Sequence, residues 1–205
     1  GRTELVETIF GLRKADEGEI LYHGKKLKIK RPQHAIQQGI VLIPEDRRRS
    51  GIFSNMDVKD NIGIIHDKKI SHSTFLIQSK ILDITHKYID DLKIKLSGVK
   101  QMIKNLSGGN QQKVIISRCL STNPQVLIMD EPTRGIDVGA KAEIYKILRR
   151  LKKEEGKAII VVSSELEEII SECDRVIVMR NGKISVRLAG DEISKENILH
   201  YSFAS

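Results

Sequence analysis

Two acidic residues, Asp130 and Glu131, directly follow the apolar run 126–129 (VLIM) and precede Pro132 and Thr133. The apolar run predicts a buried strand, and ligands of parallel sheets bind beyond the carboxyl ends of the strands. Because hard cations prefer carboxylate oxygens, Asp130 is a candidate ligand for the Mg²⁺ of a nucleotide. Glu131 could then orient or deprotonate an attacking water. The same pattern would also arise from an acidic strand end that simply faces solvent.

A second candidate site is the triplet Ser107, Gly108 and Gly109, which precedes the predicted helix 110–120. Glycine backbone amides, the Ser107 hydroxyl and the positive end of the helix would converge on one point, which favours a bound phosphate. A bare SGG could instead be a glycine-rich turn with Ser107 as the helix N-cap. The whole octet 106–113 (LSGGNQQK), followed by the acidic strand, makes the phosphate interpretation much stronger.

The elements that position these groups alternate between strand and helix. Apolar strands are predicted at 40–43, 126–129, 158–162 and 175–179, and helices at 3–12, 32–38, 110–120, 139–155 and 166–171. Hairpins are predicted at 18–27, with a turn at Gly24, and at 175–187, with a turn at Asn181-Gly182. The stretch 57–96 reads as mostly helical, with an irregular part around 66–74. We therefore expect an α/β fold with a mainly parallel sheet covered on both faces, an antiparallel β region and a helical subdomain at about 57–120.

Composition narrows the class of protein. A chain of 205 residues suits one domain, and no apolar run approaches the roughly 18 residues that span a bilayer. Cys119 and Cys173 lack the spacing of a disulfide framework or a zinc site, which favours a reducing cytosol. The net charge of +8 raises nucleic acid or an anionic membrane as partners. Because the lysines are dispersed, aromatic residues make up 4% and Trp is absent, no nucleic-acid partner is expected.

The motifs resemble those of ATP-binding-cassette ATPases. The octet 106–113 is similar to the signature loop of that family, 126–131 to its Walker B strand, and Ile136-Asp137 lies at its D-loop position. The resemblance covers essentially the whole chain and implies a P-loop NTPase core with ATP and Mg²⁺ as ligands. The chain would be one cassette spanning 1–205.

Within the family, three stretches look like the second cassette of bacterial monosaccharide importers of the ribose, galactose or xylose type. They are 45–48 (EDRR), 110–113 (NQQK) and 130–141 (DEPTRGIDVGAK). In those proteins two cassettes are fused in one polypeptide. The resemblance therefore implies an N-terminal cassette as partner, membrane permease subunits, and indirectly a periplasmic or extracellular sugar-binding protein. It also implies a peripheral location on the cytoplasmic face of the bacterial membrane.

The first residues resemble the tail of a Walker A loop, so that the sequence would begin within that loop. Gly1, Arg2, Thr3 and Glu4 then become nucleotide-binding candidates, and Thr3 could bind Mg²⁺ through its hydroxyl. Arg2 replaces the usual lysine. Because a planar guanidinium projects its charge differently from a compact ammonium, this replacement is not conservative.

Two further positions depart from the family pattern. Glu45 takes the place of the Q-loop glutamine and Ser164 that of the switch histidine. Ionised Glu45 can only accept hydrogen bonds and would repel phosphates, and Ser164 has neither the reach nor the titratable ring of histidine. Both could also be ordinary loop residues. Together with Arg2, they predict impaired catalysis at this site, although Asp130 and Glu131 remain.

The signature loop is intact, by contrast. Cassettes of this family pair head to tail, so the resemblance implies that Ser107, Gly108, Gly109 and Gln111 contact the ATP held by the N-terminal cassette, with Asp137 near the same nucleotide. Hydrolysis would then occur mainly at the other site. An isolated chain of this kind should be weakly active or inactive.

The cluster 47–51 (RRRSG) follows the Q-loop position, where the family docks the coupling helix of its permease. It could meet that partner, meet membrane phosphates, or be a solvated loop. Two other functions share the signature and Walker B motifs: a soluble cassette acting on ribosomes or DNA, and a non-hydrolysing regulatory module. The stretch 32–107 has no sustained heptads of the kind that a DNA-repair cassette requires.

Overall fold

A computed structural model describes residues 1–66 and 74–203, and its elements alternate much as predicted. The helices are α1 (Arg2–Phe10), α2 (Pro32–Gln37), α3 (Val58–Gly63), α4 (Thr74–Leu92), α5 (Gly108–Leu120), α6 (Val138–Glu155), α7 (Leu166–Glu172) and α8 (Lys195–Phe203). The strands are β1 (Ile20–Tyr22), β2 (Lys25–Leu27), β3 (Ile40–Ile43), β4 (Val126–Asp130), β5 (Ala158–Val162), β6 (Arg175–Arg180) and β7 (Lys183–Ala189).

The central sheet has the order β3-β4-β5, and both of its strand pairs are parallel. Met129 on β4 lies opposite Ile43 on β3 and Val161 on β5, so the three strands end at the same edge. Asp130 is the last residue of β4 and therefore lies at that carboxyl edge. The hairpins β1-β2 and β6-β7 are antiparallel. The predicted α/β fold, with a mainly parallel core and an antiparallel β region, is confirmed.

The sheet is covered on both faces along β3 and β4, because successive residues of a strand point to opposite sides. Leu127 and Met129 belong to the large apolar cluster that contains α5 and α6. Ile128 belongs to a second cluster with Val6 of α1. Helix α5 is buried along nearly its whole length, so the loop that precedes it has a rigid support.

Strand β5 differs from the prediction. Its apolar sequence predicted cover on both faces, yet Ala158 is exposed and Ile160 keeps 41% of its surface accessible. Strand β5 packs through alternate residues only, so the described residues leave one of its faces largely uncovered. An apolar run alone does not show whether one face of a strand is covered or both.

Several boundaries follow local signals. Gly11 ends α1 in a left-handed conformation with φ 84°, as expected for a C-terminal glycine. Asn181 and Gly182 form the predicted turn between β6 and β7, both with positive φ. The segment Arg47–Gly51, for which a solvated loop was one alternative, forms a short π-helical turn whose N-cap Asp46 accepts a hydrogen bond from the Arg49 amide.

The stretch 57–96 contains α3 and α4, and residues 67–73 of its expected irregular part lie outside the described residues. Among the helices described, none has the length and apolar character needed to cross a membrane.

Candidate nucleotide-binding site

Asp130 has the surroundings of a metal ligand. The residue is 2% exposed, and its Oδ1 atom is buried with no hydrogen-bond partner among the described residues. Burial raises the pKa of this carboxyl, and the charges of Glu45 and Glu131 add to the effect, whereas a hydrogen bond from Thr3 and the charge of Arg2 oppose it. A buried carboxylate oxygen without a donor is costly unless a cation satisfies it. Asp130 and the neighbouring Thr3 hydroxyl therefore fit a hard cation such as Mg²⁺.

Glu131 lies directly beyond the strand with φ 47°, a left-handed conformation that few residues other than glycine adopt. Its amide donates to the Val162 carbonyl at 2.8 Å, which fixes the end of β4 against β5. Ser164 Oγ donates to Glu131 Oε2 at 3.2 Å. The structure thus brings together two residues that lie 33 positions apart, and the hydroxyl at the expected switch position contacts the candidate catalytic carboxylate.

Arg2 extends toward the loop that follows β5 and contains Ser163 and Ser164. Its Nη1 atom donates to the Ser163 carbonyl at 2.6 Å, so its charge is held at the end of β5. Gly1 lies against the β6-β7 turn, where a Cβ atom would be 3.3 Å from Gly182 Cα. The Glu4 carboxylate is half exposed. Of these residues, Arg2 and Thr3 therefore reach the carboxyl edge through hydrogen bonds.

Glu45 has a partner that the sequence did not reveal. It follows β3 and forms an ion pair with Arg134, which belongs to the turn after β4. Both side chains are substantially exposed, so the pair contributes at most about 1 kcal/mol to stability. Arg134 therefore offsets part of the charge that Glu45 would present to phosphates, while the charge of Glu45 still acts on Asp130.

Ser107 caps helix α5. Its Oγ atom accepts hydrogen bonds from the Asn110 amide at 3.5 Å and from Asn110 Nδ2 at 2.9 Å. Asn110 Oδ1 in turn accepts from the Lys95 amide at 2.8 Å, which ties the cap to the segment after α4. Since the Ser107 side chain only accepts in these contacts and the residue is exposed, its own proton remains available to an external acceptor. The capping role and a phosphate-binding role are therefore compatible.

The two glycines allow close packing around this loop. A Cβ atom at Gly109 would lie 2.5 Å from Ala140 Cβ on α6, and one at Gly108 would lie 3.0 Å from Arg47 Nη2. Larger residues would therefore push α5 and α6 apart or displace Arg47. Asp137, at the D-loop position, is the N-cap of α6 and accepts from the Ala140 amide at 2.9 Å. The signature loop and the D-loop thus lie side by side.

Gln111, expected among the nucleotide contacts, points inward instead. It is 7% exposed, and its Nε2 atom donates to the carbonyls of Ile103 at 3.2 Å and Leu106 at 3.1 Å. Its Oε1 atom accepts from Arg47 Nε at 3.2 Å. Because every polar atom of the side chain is already engaged, Gln111 supports the loop from below rather than facing a ligand. Arg47 is half-buried, and burial followed by the charge of Arg48 lowers its pKa.

Sequence reasoning missed Glu168 on α7. Its carboxylate accepts from Thr133 Oγ1 at 2.7 Å, from Tyr145 OH at 2.6 Å and from Ser163 Oγ at 3.2 Å, and Lys141 Nζ lies 3.3 Å away. Burial opposes ionisation of Glu168, but these hydrogen bonds outweigh it and lower the pKa. Burial raises the pKa of Tyr145, and its hydrogen bond to Glu168 adds to that shift. The only sequence signal was an acidic residue in the first turn of a helix that follows the switch position.

The fold and the two loops define an ATP-binding cassette. A family model described as ABC transporter matches residues 1–134, and the chain belongs to that family. Among solved structures, a nucleotide-free ATP-binding cassette from an ABC transporter aligns over 97% of this chain and 79% of its own, with TM-score 0.79 and 27% identity. The ADP conformation of MJ1267, an ATP-binding cassette of an ABC transporter, aligns over 100% and 84%, with TM-score 0.78 and 25% identity.

The chain is also similar to curated proteins that are named as sugar import ATP-binding proteins. The chain is 48% identical to the "Ribose import ATP-binding protein RbsA" of Halalkalibacterium halodurans over 98% of its length and 40% of that protein. It is 45% identical to the "Galactose/methyl galactoside import ATP-binding protein MglA" of Clostridium perfringens over 98% of its length and 39% of that protein. The chain thus spans about two fifths of the length of these relatives.

Proposed function

We propose that this chain is the second cassette of a monosaccharide importer's ATP-binding protein and that it couples ATP binding and hydrolysis to sugar uptake through a membrane permease. The observation that carries the proposal is the contrast between an intact, outward-facing signature loop at Ser107 and the substituted groups Arg2, Glu45 and Ser164 at the carboxyl edge. The names and lengths of the relatives support the same assignment. Residues 1–205 would form one cassette, with 57–120 as its helical subdomain.

At its own edge the chain would bind a magnesium nucleotide but hydrolyse it poorly. The metal would stabilise the charge of the phosphates, and Asp130 and Thr3 are the residues suited to hold it. Glu131 would orient water. Ser164 contacts Glu131 through a hydroxyl, and a serine cannot exchange a proton near neutral pH as histidine can. Arg2 is bonded to a backbone carbonyl, which directs part of its donor capacity away from phosphates.

At the signature loop the chain would contact the ATP of the neighbouring cassette. The Ser107 hydroxyl and the amides at the start of α5 form a set of donors at a positive helix end, which suits the charge of a γ-phosphate. Helix α5 is buried along its length and cannot tilt without disturbing the core. Asp137 lies beside this loop at the start of α6, where it would approach the same nucleotide.

The permease would meet the surface formed by Arg48, Arg49, Phe53 and Met56. Phe53 and Met56 are 43% and 37% exposed, and both arginines are exposed. The buried Asn61 fixes this loop, because its side chain bonds the Phe53 amide at 3.0 Å and the Met56 carbonyl at 3.3 Å. Exposed apolar groups beside cations suit a partner helix. Contact with a permease would place the protein on the cytoplasmic face of the membrane, with a sugar-binding protein acting from the other side.

Uptake by membrane vesicles tests the proposal. Vesicles that contain the full-length protein, the permease and the sugar-binding protein should accumulate ribose, galactose or xylose when supplied with MgATP. Ser107→Ala should reduce the initial rate about tenfold or more, because a preorganised donor to the transferring phosphate is lost. Lys104→Ala is the control, because Lys104 is exposed and lies three residues before Ser107, and it should leave the initial rate unchanged. ATP-dependent uptake of none of these sugars would contradict the proposal.

A further inference from the structure

The Glu168 carboxylate joins segments that are distant in sequence. Its side chain is 11% exposed, and the groups that bond it come from the turn after β4, from α6 and from the end of β5. Thr133 and Tyr145, two of its donors, are 2% and 5% exposed. The donors fix the position of this buried carboxylate, because the loss of any one of them would leave a buried polar group without a partner.

Two of these contacts hold the candidate catalytic pair. Thr133 lies two residues after Glu131, and Ser163 immediately precedes Ser164. Glu168 bonds both Thr133 and Ser163, so it fixes the loops that bring Glu131 and Ser164 into contact.

A third set of contacts reaches α6. Lys141 Nζ lies 2.5 Å from Glu165 Oε1 and 3.3 Å from Glu168 Oε1. Lys141 belongs to the first turns of the helix whose N-cap is Asp137. The loop 163–165 and the start of α6 are therefore tied together by one lysine and two carboxylates.

We infer that Glu168 is a positioning residue that makes the loop 163–165 and the start of α6 move as one unit. A nucleotide that displaces Ser164 or Glu131 would then also shift Asp137, which lies beside the signature loop. An effect of this shift on the neighbouring cassette rests on the proposed function. The coupling between loop 163–165 and the start of α6 does not.

The charge of Glu168 is essential to this role. Thr133, Lys141, Tyr145 and Ser163 all direct donors at its two oxygens, and a glutamine of the same size offers only one acceptor. Glu168→Gln therefore weakens the coupling with little change in volume, while Lys141 still pairs with Glu165. Glu167→Gln is the matched control, because Glu167 is the exposed preceding residue on the same helix.

Hydrogen exchange of the full-length protein, measured by mass spectrometry without nucleotide, tests the coupling. In Glu168→Gln the amides of 133–141 and of 163–172 should both exchange about tenfold faster, and Glu167→Gln should match the wild type. Faster exchange in 163–172 alone, or an equal effect of Glu167→Gln, would overturn the inference. If Glu168→Gln does not fold, Tyr145→Phe replaces it, with a smaller rise expected in both segments and the same result counting against it.

An ATP titration separates positioning from simple stabilisation. In the wild type both segments should become protected at the same MgATP concentration, and in the Glu168→Gln variant the two midpoints should differ by about threefold or more. Equal midpoints in the variant would contradict coupling through Glu168. If the wild type shows no protection by MgATP, the proposed nucleotide site fails, and the nucleotide-free exchange still decides the inference.

Discussion

The carboxyl edge and the signature loop of this cassette differ in what their polar groups contact. At the edge, Arg2 is bonded to Ser163, Ser164 to Glu131, and Glu45 to Arg134. At the loop, Ser107 accepts hydrogen bonds from Asn110 and is exposed at the start of a helix that is buried along nearly its whole length. Under the proposed function, this cassette would retain the residues that hold a nucleotide and lack the glutamine and histidine that act beside it, while its donor surface stays complete.

The largest effect is expected at Gly109. Gly109→Ala would place a Cβ atom 2.5 Å from Ala140 Cβ, forcing the start of α5 away from α6 and misaligning the phosphate donors. We expect ATP turnover by the full-length protein to fall roughly 100-fold, as when a transition-state donor is misplaced. Gly139→Ala is the matched control, because among the described residues its Cβ would meet only Asp137 Oδ1, at 3.5 Å. Similar rates of ATP turnover for the two variants would contradict a special role for the close packing of the signature loop at Gly109.

At the edge, Asp130→Asn should weaken Mg²⁺-dependent nucleotide binding to this cassette about 10-fold to 100-fold, since it removes the charge that suits the metal. Calorimetric titration with and without Mg²⁺ measures this change. Asp174→Asn, at an exposed carboxylate, provides the control. Unchanged Mg²⁺ dependence in Asp130→Asn would contradict the assignment of the metal ligand.

Without nucleotide, the effect of Asp130→Asn on the free energy of unfolding should depend on pH. Because the folded-state pKa of Asp130 is raised, its ionised form destabilises the fold, and this penalty grows as pH rises through the folded-state pKa. Asp130→Asn should therefore be more stable than the wild type at neutral pH. The difference in free energy of unfolding should shrink as the pH falls and Asp130 takes up a proton. Denaturant unfolding at several pH values checks the sign.

The smallest effect concerns the exposed pair of Glu45 and Arg134. Arg134→Ala should lower the free energy of unfolding by less than about 1 kcal/mol, and the loss should diminish at high salt. Nucleotide affinity at the edge should fall a few-fold at low salt, because Glu45 would face the phosphates without its partner. Arg187→Ala, an exposed change on β7, should alter neither quantity. Higher affinity in Arg134→Ala would show that Arg134 does not offset Glu45.

The sequence was sufficient where local pattern decides structure. The apolar run before Asp130 predicted β4, and the stretch after Ser107 predicted a helix, with an N-cap at Ser107 as one of two interpretations of the loop. The exposed face of β5 was not predictable, because a single strand does not reveal its neighbours. The contacts of Glu168 with Thr133, and of Glu45 with Arg134, join residues 35 and 89 positions apart, so no local pattern encodes them.

The inward orientation of Gln111 has a similar origin. Its place in the signature octet predicted a ligand contact, but the carbonyls of Ile103 and Leu106 reach it from the preceding turn. Whether a polar residue near a site faces the ligand or supports the loop depends on this tertiary packing.

Under the proposed function, this chain donates its signature loop to catalysis at the neighbouring cassette and contributes little hydrolysis itself. The most direct measurement compares kcat for ATP hydrolysis in two variants of the full-length protein assembled with its permease. Ser107→Ala should lower kcat about tenfold or more, and Glu131→Gln should lower it less than about twofold. The reverse order, with Glu131→Gln the more damaging change, would show that this cassette carries the catalytic site.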